Sequence, residues 1–281
     1  MPYHCYISWL LICIITSGCN NVETRIETAD SLAMGTGLTK TILQTKLFKL
    51  VSYKSVLKQN AIATVYIEGD GLAWLSRNRV SSNPTPINPV ALKLALIDNT
   101  DNVIYIARPC QYVDLTEESQ CISDYWTTKR IALEVINSFG EAIDQVKQQN
   151  DITKIRLVGF SGGGTVAAIL AATRDDVVDL RTVAANLDID QFTETHKVSR
   201  MLGSINPIKY SKTLSRIPQI HFTGRLDKVI LSAITESYIN QLKVHDANLK
   251  CVQTIQVDDA SHTKGWELPW GQYSNLMPKC I

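Results

Sequence analysis

The sequence carries almost no net charge, which excludes partners that are bound mainly by charge. Its 28 lysine and arginine residues balance 27 aspartate and glutamate residues, so the formal charge is +1. The basic residues do not cluster along the chain, and a clustered basic surface is what a nucleic acid or an anionic membrane requires. We therefore expect no nucleic-acid partner, and contact with a membrane only through a possible lipid anchor.

Proline is scarce, and the hydrophobic runs are short. With 9 prolines and 45% hydrophobic residues, the composition excludes a disordered, coiled-coil or collagen-like chain and is typical of one large globular domain. One apolar run lies near the N-terminus, at residues 7–15 (ISWLLICII), and is about half as long as a membrane-spanning helix. Its length suits the apolar core of a signal peptide, so residues 1–18 are predicted to be a signal peptide outside the folded domain.

The residues after this run resemble a bacterial lipoprotein signal. Thr16, Ser17 and Gly18 are small and precede Cys19, where a signal peptidase would cut. The resemblance implies export to the cell envelope and a lipid on Cys19. It departs from the usual pattern in two ways, since Thr16 replaces leucine and no lysine or arginine precedes the run. A periplasmic or secreted protein cleaved nearby, or a short uncleaved anchor, remains the alternative.

Four of the seven cysteines lie beyond the leader, at Cys110, Cys121, Cys251 and Cys280. An even number in an exported chain indicates disulfides, although four cysteines allow three pairings. The short spacing of the first two favours a 110–121 bond together with a 251–280 bond. Four buried free thiols are the alternative. No cysteine or histidine cluster has the spacing of a metal site, so no metal is predicted.

Beyond the leader, strand-like and helix-like patterns alternate. The predicted strands are 46–53, 61–67, 103–107, 154–159, 181–186, 218–223 and 250–257, and the predicted helices are 90–98, 128–149, 163–173 and 230–242. This alternation predicts an α/β fold, a mainly parallel sheet with helices on both faces.

The remaining segments are predicted from their lack of strand-like and helix-like patterns. Residues 19–45 are polar and weakly periodic, so they are predicted to be a flexible tether, with a short helix or strand as the alternative. Residues 46–281 are predicted to form one domain. The irregular stretch 188–218 is predicted to be an insertion between two strands.

Residues 154–173 (KIRLVGFSGGGTVAAILAAT) place a serine between a predicted strand and a predicted helix. Gly159 and Gly163 stand two residues before and two after Ser161, where the crowded backbone of a nucleophile elbow admits only small residues. The N–H groups that begin the helix can stabilise an oxyanion. The pattern therefore predicts Ser161 as nucleophile and the Gly162 N–H as an oxyanion donor, with a plain glycine turn as the alternative.

With this motif the sequence resembles the α/β-hydrolase superfamily, from about residue 46 onward. In that superfamily a catalytic acid follows a later strand and a histidine follows the last strand. The resemblance implies Asp227 as the acid and His262 as the base, in the loops after the last two predicted strands. Asp188 and Asp190 are the competing acids. A helix N-cap is the competing role for Asp227.

The resemblance also implies a second oxyanion donor in the loop after an early strand, where residues 67–71 read IEGDG. Many members of the superfamily begin this loop with His-Gly, whereas Glu68 stands in place of the histidine here. The donor is expected to be the backbone N–H of Asp70, with Gly71 as the alternative. A type II turn that uses one of the glycines would explain the same residues without catalysis.

The activity implied by the resemblance is that of a serine hydrolase, without a cofactor, acting on a small-molecule acyl substrate. The roughly thirty residues of the 188–218 insertion can form only a turn or two of helix. The sequence is therefore nearer to serine esterases and to the catalytic domains of prolyl-oligopeptidase-like peptidases than to lidded lipases. We expect cleavage of carboxylic esters. Amide cleavage or acyl transfer by the same triad, and a non-catalytic envelope protein with this fold, are the alternatives.

Overall fold

The computed structural model describes residues 21–278 and residue 280. The predicted signal peptide, residues 1–18, and the predicted lipidation site, Cys19, lie outside the described residues. Within the part of the chain that is described, every helix is too short or too polar to cross a membrane.

Ten strands are present in the described residues. They are β1 Thr39–Gln44, β2 Lys49–Val56, β3 Ile62–Ile67, β4 Trp74–Ser76, β5 Arg79–Val80, β6 Asn102–Ile106, β7 Lys154–Phe160, β8 Val177–Val183, β9 Gln219–Gly224 and β10 Val252–Val257. Eight of them form one sheet in the order β1-β2-β6-β3-β7-β8-β9-β10, and β4 pairs with β5 in a separate hairpin. In the large sheet β2 runs opposite to β1 and β6, and all other neighbouring strands are parallel. The carboxyl ends of β3 and β6–β10 therefore meet at one edge, here called the carboxyl edge.

Helices cover both faces of the large sheet. They are α1 Val22–Ala33, α2 Val90–Leu96, α3 Leu133–Asn150, α4 Gly162–Thr173, α5 Ile189–His196, α6 Ser211–Leu214, α7 Ser232–Lys243 and α8 Glu267–Tyr273. One face packs against α1, α2 and α8, and the opposite face packs against α3, α4 and α7. This arrangement confirms the predicted fold class, a mainly parallel sheet between two layers of helices.

The central strands are apolar on both sides because both sides are covered. In β3, Val65 and Ile67 join the cluster that contains α3 and α4, whereas Tyr66 packs among α2 and α8. Helix α4 consists mostly of glycine, alanine and short aliphatic residues, and nearly every position in it is buried. Small side chains let this helix lie close behind β7, so its first turn is held firmly at the carboxyl edge.

The prediction of a flexible tether over residues 19–45 is corrected by the structure for the part from residue 21 onward. Helix α1 and strand β1 both lie in this stretch. The Asn21 side chain caps α1 by accepting a hydrogen bond of 2.7 Å from the Thr24 N–H. On the same helix, Ala29 and Ala33 are buried in the cluster that includes α2. Alanines pack closely without giving a strong hydrophobic pattern, which is why the sequence favoured a tether and left a short helix or strand as the alternative.

Three predicted elements have boundaries that differ from the observed ones by three residues or more. Strand β2 spans Lys49–Val56 instead of 46–53. Strand β8 begins at Val177 instead of residue 181, and α3 begins at Leu133 instead of residue 128. Charged residues concealed the start of β8, since Asp179 is buried and pairs with Arg156 at 2.8 Å. The predicted insertion is confirmed between β8 and β9, where α5 supplies about two turns of helix.

Both predicted disulfides are present, Cys110–Cys121 and Cys251–Cys280. The first closes the loop after β6 at the carboxyl edge, and the second joins the residue before β10 to the C-terminal tail. Paired cysteines of this kind are typical of proteins from oxidising compartments.

We expect the Cys110→Ser/Cys121→Ser variant to lose up to ~3 kcal/mol of unfolding free energy. Its bond spans a sequence separation of 11, and closing a loop of about this size removes entropy from the unfolded chain. Urea unfolding of the variant beside the parent protein measures the loss. Non-reducing peptide mapping of protein purified under oxidising conditions should find both cross-links. An unchanged unfolding midpoint, or free thiols at all four cysteines, would contradict this expectation.

Candidate active site

Ser161 occupies a strained turn between β7 and α4. Its backbone angles are φ 51° and ψ −122°, and residues with a side chain rarely adopt a positive φ. Two backbone hydrogen bonds hold the turn, from the Ser161 N–H to the Val183 oxygen at 3.0 Å and from the Gly164 N–H to the Ser161 oxygen at 3.0 Å. This is the backbone geometry that presents a serine at the head of a strand.

The glycines around Ser161 are required by close backbone contacts. A Cβ atom on Gly159 would overlap the Gly163 oxygen, and one on Gly163 would overlap the Ile67 and Glu68 oxygens. The sequence argument for small residues two places before and after the serine therefore has a direct structural cause.

Asp227 and His262 form a hydrogen-bonded pair at the carboxyl edge. His262 Nδ1 lies 2.9 Å from Asp227 Oδ2, and the Asp227 side chain is fully buried. The other carboxylate oxygen, Oδ1, accepts from the N–H groups of Val229 at 2.7 Å and Ile230 at 2.9 Å. The capping role and the histidine-binding role of Asp227 are therefore compatible, since each uses a different oxygen.

The loops that carry this pair are fastened to each other. The Leu226 N–H donates to the Ala260 oxygen at 2.9 Å. A Cβ atom on Gly224 would lie 2.6 Å from the same oxygen, which keeps this position a glycine. The Trp266 indole donates to the Ser261 oxygen at 2.9 Å. These contacts hold the carboxylate and the imidazole in position relative to each other.

His262 lies beside the serine turn. Its ring centroid is 5.2 Å from the ring centroid of Phe160, the residue before Ser161. In the described chain the Ser161 hydroxyl makes no hydrogen bond with His262. Such bonds are often long in free enzymes and tighten when substrate binds. The structure thus brings Asp227 and His262 into contact and places them next to the serine.

The competing acids contact other groups. Asp188 caps α5 by accepting from the Gln191 N–H at 3.1 Å, and it also accepts from the Ser237 hydroxyl at 2.6 Å. Asp190 accepts from the Asn206 amide at 3.1 Å. Among the described residues, it is Asp227 that pairs with His262.

The predicted oxyanion loop lies against the serine turn. A Cβ atom on Gly69 would lie 3.2 Å from Ser161 Cβ, and a Cβ atom on Gly162 would overlap the Asp70 carboxylate. Within residues 21–278, the backbone N–H groups of Gly162, Asp70 and Gly71 donate to no protein acceptor. Gly162 and Asp70 therefore lie at the serine turn. Gly71 follows Asp70 and also has an unpaired N–H, so the structure leaves the choice between Asp70 and Gly71 open.

Glu68 fastens this loop to helix α2. Its buried carboxylate accepts from the N–H groups of Gly69 at 2.9 Å, Ala91 at 3.3 Å and Leu92 at 3.4 Å, and from the Tyr105 hydroxyl at 3.2 Å. Burial raises the pKa of Glu68 to about 7, against the opposing effect of these hydrogen bonds. A carboxylate thus supports the loop where the superfamily often has a histidine.

We expect Glu68→Gln to remove part of the dependence of stability on pH. The pKa of Glu68 is about 7 in the folded protein and ordinarily 4.5. The folded state therefore binds this proton more tightly, and the parent protein loses stability as the pH rises between these two values. Urea unfolding at about pH 5 and about pH 8 measures this slope, with exposed Glu236→Gln as the control. A Glu68→Gln slope equal to that of the parent would contradict the assignment.

Gln111, which the sequence reasoning missed, supports the loop from the opposite side. Its amide donates to the Gly69 oxygen at 3.0 Å and accepts from the Arg108 N–H at 3.1 Å. Gln111 follows Cys110, so the first disulfide fixes the segment that braces the oxyanion loop. Its position beside a cysteine at the end of a strand was the only signal in the sequence.

Two arginines, also missed by the sequence reasoning, flank the Asp70 side chain. Arg130 Nη1 lies 2.7 Å from Asp70 Oδ2, and Arg108 Nη1 lies 3.5 Å from Asp70 Oδ1. Burial lowers the pKa of Arg108 to about 10, Asp70 opposes this effect and Arg130 adds to it. The Arg108 guanidinium therefore stays charged at neutral pH, and the two arginines flank one carboxylate beside Gly162.

Protein-family models and curated protein sequences give no match to this chain. Solved structures do match it. An esterase of Pyrococcus furiosus superposes with a TM-score of 0.57 at 13% identity, covering 84% of this chain and 87% of that chain. The esterase domain of a Rhodothermus marinus protein superposes with a TM-score of 0.55 at 12% identity, covering 84% of this chain and 94% of that chain.

The acylaminoacyl peptidase of Pyrococcus horikoshii superposes with a TM-score of 0.59 at 13% identity. The match covers 84% of this chain and 39% of the peptidase. These matches decide the architecture. The chain has the α/β-hydrolase fold. At such identities the similarity establishes the fold alone.

Proposed function

We propose that the chain is a serine hydrolase that cleaves carboxylic esters through an acyl-enzyme on Ser161. The observation that carries the proposal is the 2.9 Å hydrogen bond between His262 and Asp227 beside a strained serine. A serine hydroxyl is a poor nucleophile at neutral pH, and an adjacent histidine held by a buried acid is the usual means of activating it.

In the first half of the reaction, Ser161 Oγ attacks the acyl carbon of the ester while His262 Nε2 takes the hydroxyl proton. Asp227 holds the proton on Nδ1 and stabilises the positively charged imidazole. The negative charge that develops on the acyl oxygen is bound by the Gly162 N–H and by the N–H of Asp70 or Gly71. The bond to the alcohol then breaks, and His262 gives its proton to the departing oxygen.

In the second half, water attacks the acyl carbon and gives its proton to His262. The bond to Ser161 breaks, and the same proton returns to Ser161 Oγ. The products are one carboxylic acid and one alcohol for each ester and water consumed. Each oxyanion donor is typically worth ~3 kcal/mol of transition-state stabilisation.

The alternative is amide cleavage or acyl transfer by the same triad, which the similarity to an acylaminoacyl peptidase favours. A non-catalytic envelope protein is the third candidate. A fluorophosphonate probe tests for the activated serine, and matched 4-nitrophenyl esters and 4-nitroanilides of the same acyl groups test the leaving group. We expect labelling and faster ester turnover. Faster anilide turnover would replace the ester assignment, and absence of labelling would support the non-catalytic candidate.

We also propose that the protein is exported and anchored by lipid on Cys19. The two disulfides support an oxidising compartment, and the sequence preceding Cys19 supports the anchor.

We expect Cys19→Ser to release active protein into the soluble fraction or to leave an uncleaved precursor. The cysteine thiol is the atom that would carry the lipid, and serine cannot replace it. Membrane fractionation with immunoblotting measures the outcome, with Cys13→Ser as the control. A processed variant that partitions with membranes as the parent does would exclude lipidation at this residue.

A further inference from the structure

Asp70, Arg108 and Arg130 form a charged cluster beside the serine turn, here called the arginine cluster. Two guanidinium groups face one carboxylate in it, so its formal charge is +1. The three side chains are mostly buried, with exposed fractions of 17%, 4% and 14% respectively. Buried charges are costly unless each has a partner, so the unmatched positive charge needs a compensating anion.

The cluster lies where a substrate would bind. The Asp70 carboxylate is packed against Gly162, whose N–H is a proposed oxyanion donor. Arg108 follows β6 and is bonded through its backbone N–H to Gln111, which braces the oxyanion loop. The arginine cluster therefore lies next to the oxyanion loop, which would bind the acyl oxygen of the substrate.

The guanidinium groups are incompletely hydrogen-bonded in the described chain. Arg108 Nε and Nη1 are buried without a hydrogen-bond partner. Arg130 Nε and Nη2 donate only to the Met201 sulfur, at 3.2 Å and 2.9 Å. A thioether is a weak acceptor, whereas the fork of an arginine matches the two oxygens of a carboxylate. The Nε and Nη2 donors of Arg130 therefore have a weak acceptor, and a carboxylate would be a stronger one.

Two segments that pass near the carboxyl edge, residues 71–97 and residues 195–206, contain basic residues and no aspartate or glutamate. The two segments meet where Arg77 Nη2 donates to the Lys197 oxygen at 3.1 Å, and both of these cations are exposed. These two exposed cations favour the approach of an anion.

We propose that the arginine cluster is an anion subsite and that the natural substrate carries a carboxylate close to the scissile ester. This inference rests on the proposed hydrolase function. The substrate carboxylate displaces the Met201 sulfur and binds Arg130 through Nε and Nη2, while Nη1 stays on Asp70. Arg108 lies behind this contact and adds a second positive charge.

The test uses pairs of esters that differ in one charge. The first pair places it on the acyl side, as the 4-nitrophenyl monoester of glutaric acid against 4-nitrophenyl valerate. The second pair places it on the alcohol side, as the butyrate ester of 4-hydroxybenzoate against that of 4-hydroxybenzamide. The readout is the ratio of kcat/KM for the anionic ester to that for the neutral ester. We expect a ratio of at least about ten in one pair for the parent protein.

Two variants should move this ratio in opposite directions. Arg130→Gln should lower it about tenfold, mainly through KM, because the fork that holds the carboxylate is lost. Asp70→Asn should raise it, because the variant removes the only carboxylate of the cluster and keeps the backbone N–H. If the cluster served only to brace the oxyanion loop, both variants would lower turnover of both esters alike and leave the ratio unchanged.

The controls distinguish failure of the anion subsite from failure of the proposed hydrolase function. Arg216→Gln removes an exposed charge before β9, at the opposite edge of the sheet, and should leave the ratio unchanged. Arg130→Lys keeps the charge without the fork and should give an intermediate ratio if Arg130→Gln does not fold. Ratios near one in both pairs, with the neutral esters still hydrolysed, would overturn the anion subsite alone. No ester turnover and no probe labelling would overturn the proposed hydrolase.

Discussion

Ser161→Ala is expected to lower kcat by about 10⁶-fold and to abolish covalent labelling by a fluorophosphonate probe. Loss of a triad serine has an effect of this size because every later step depends on the acyl-enzyme. The side chain supplies only the nucleophile, since the fold around it is held by backbone hydrogen bonds and by the neighbouring glycines. Ester turnover and mass spectrometry of the labelled protein measure the effect, and circular dichroism should show an intact fold.

Ser138→Ala is the matched control, because Ser138 is a buried serine on α3 that bonds to the Glu134 oxygen. Its labelling should equal that of the parent protein. Retained labelling of Ser161→Ala would remove Ser161 as the nucleophile, whatever the remaining turnover.

Asp227→Asn is expected to lower kcat by about 10⁴-fold while the fold is retained. Oδ1 can still accept from Val229 and Ile230, so the loop keeps its shape. The amide nitrogen that replaces Oδ2 donates to His262 Nδ1 instead of accepting from it, which selects the wrong imidazole tautomer. Steady-state kinetics measure the loss.

Asp188→Asn distinguishes this role from a structural one. Asp188 is also a buried carboxylate after a strand, but it caps α5 and does not contact His262. We expect its removal to lower the unfolding midpoint and to leave kcat within about an order of magnitude of the parent value. Turnover lost in Asp188→Asn and kept in Asp227→Asn would transfer the acid role to Asp188.

The fold could be predicted from the sequence because its strands are apolar on both faces and its helices have clear apolar stripes. Burial on both faces requires continuous hydrophobic runs such as ATVYI in β3, and these runs are easy to recognise. Helix α1 has alanines at two of its buried positions, and β8 contains Asp179 and Arg181, which pair with each other inside the protein. Hydrophobic periodicity therefore predicts neither helix α1 nor the start of β8.

The serine turn could be predicted because its requirements are local. Gly159, Ser161 and Gly163 lie within five residues, and the crowding that selects them acts within the same turn. Asp227 and His262 required the topological order of the superfamily in addition. Arg130 contacts Asp70 across a separation of 60 residues, so neither spacing nor strand order indicated it.

Helix α1 also determines which side of the molecule would face the membrane if Cys19 carried a lipid. Arg25, in its first turn, donates to the oxygens of Thr85 and Asn83. The neighbouring Pro84 oxygen accepts from the Leu72 N–H beside the oxyanion loop. Cys19 precedes Asn21 by two residues, which is at most about 7 Å of extended chain. A lipid on Cys19 would therefore hold the carboxyl edge near the membrane surface, and a membrane-dissolved substrate would reach this edge by diffusion in two dimensions.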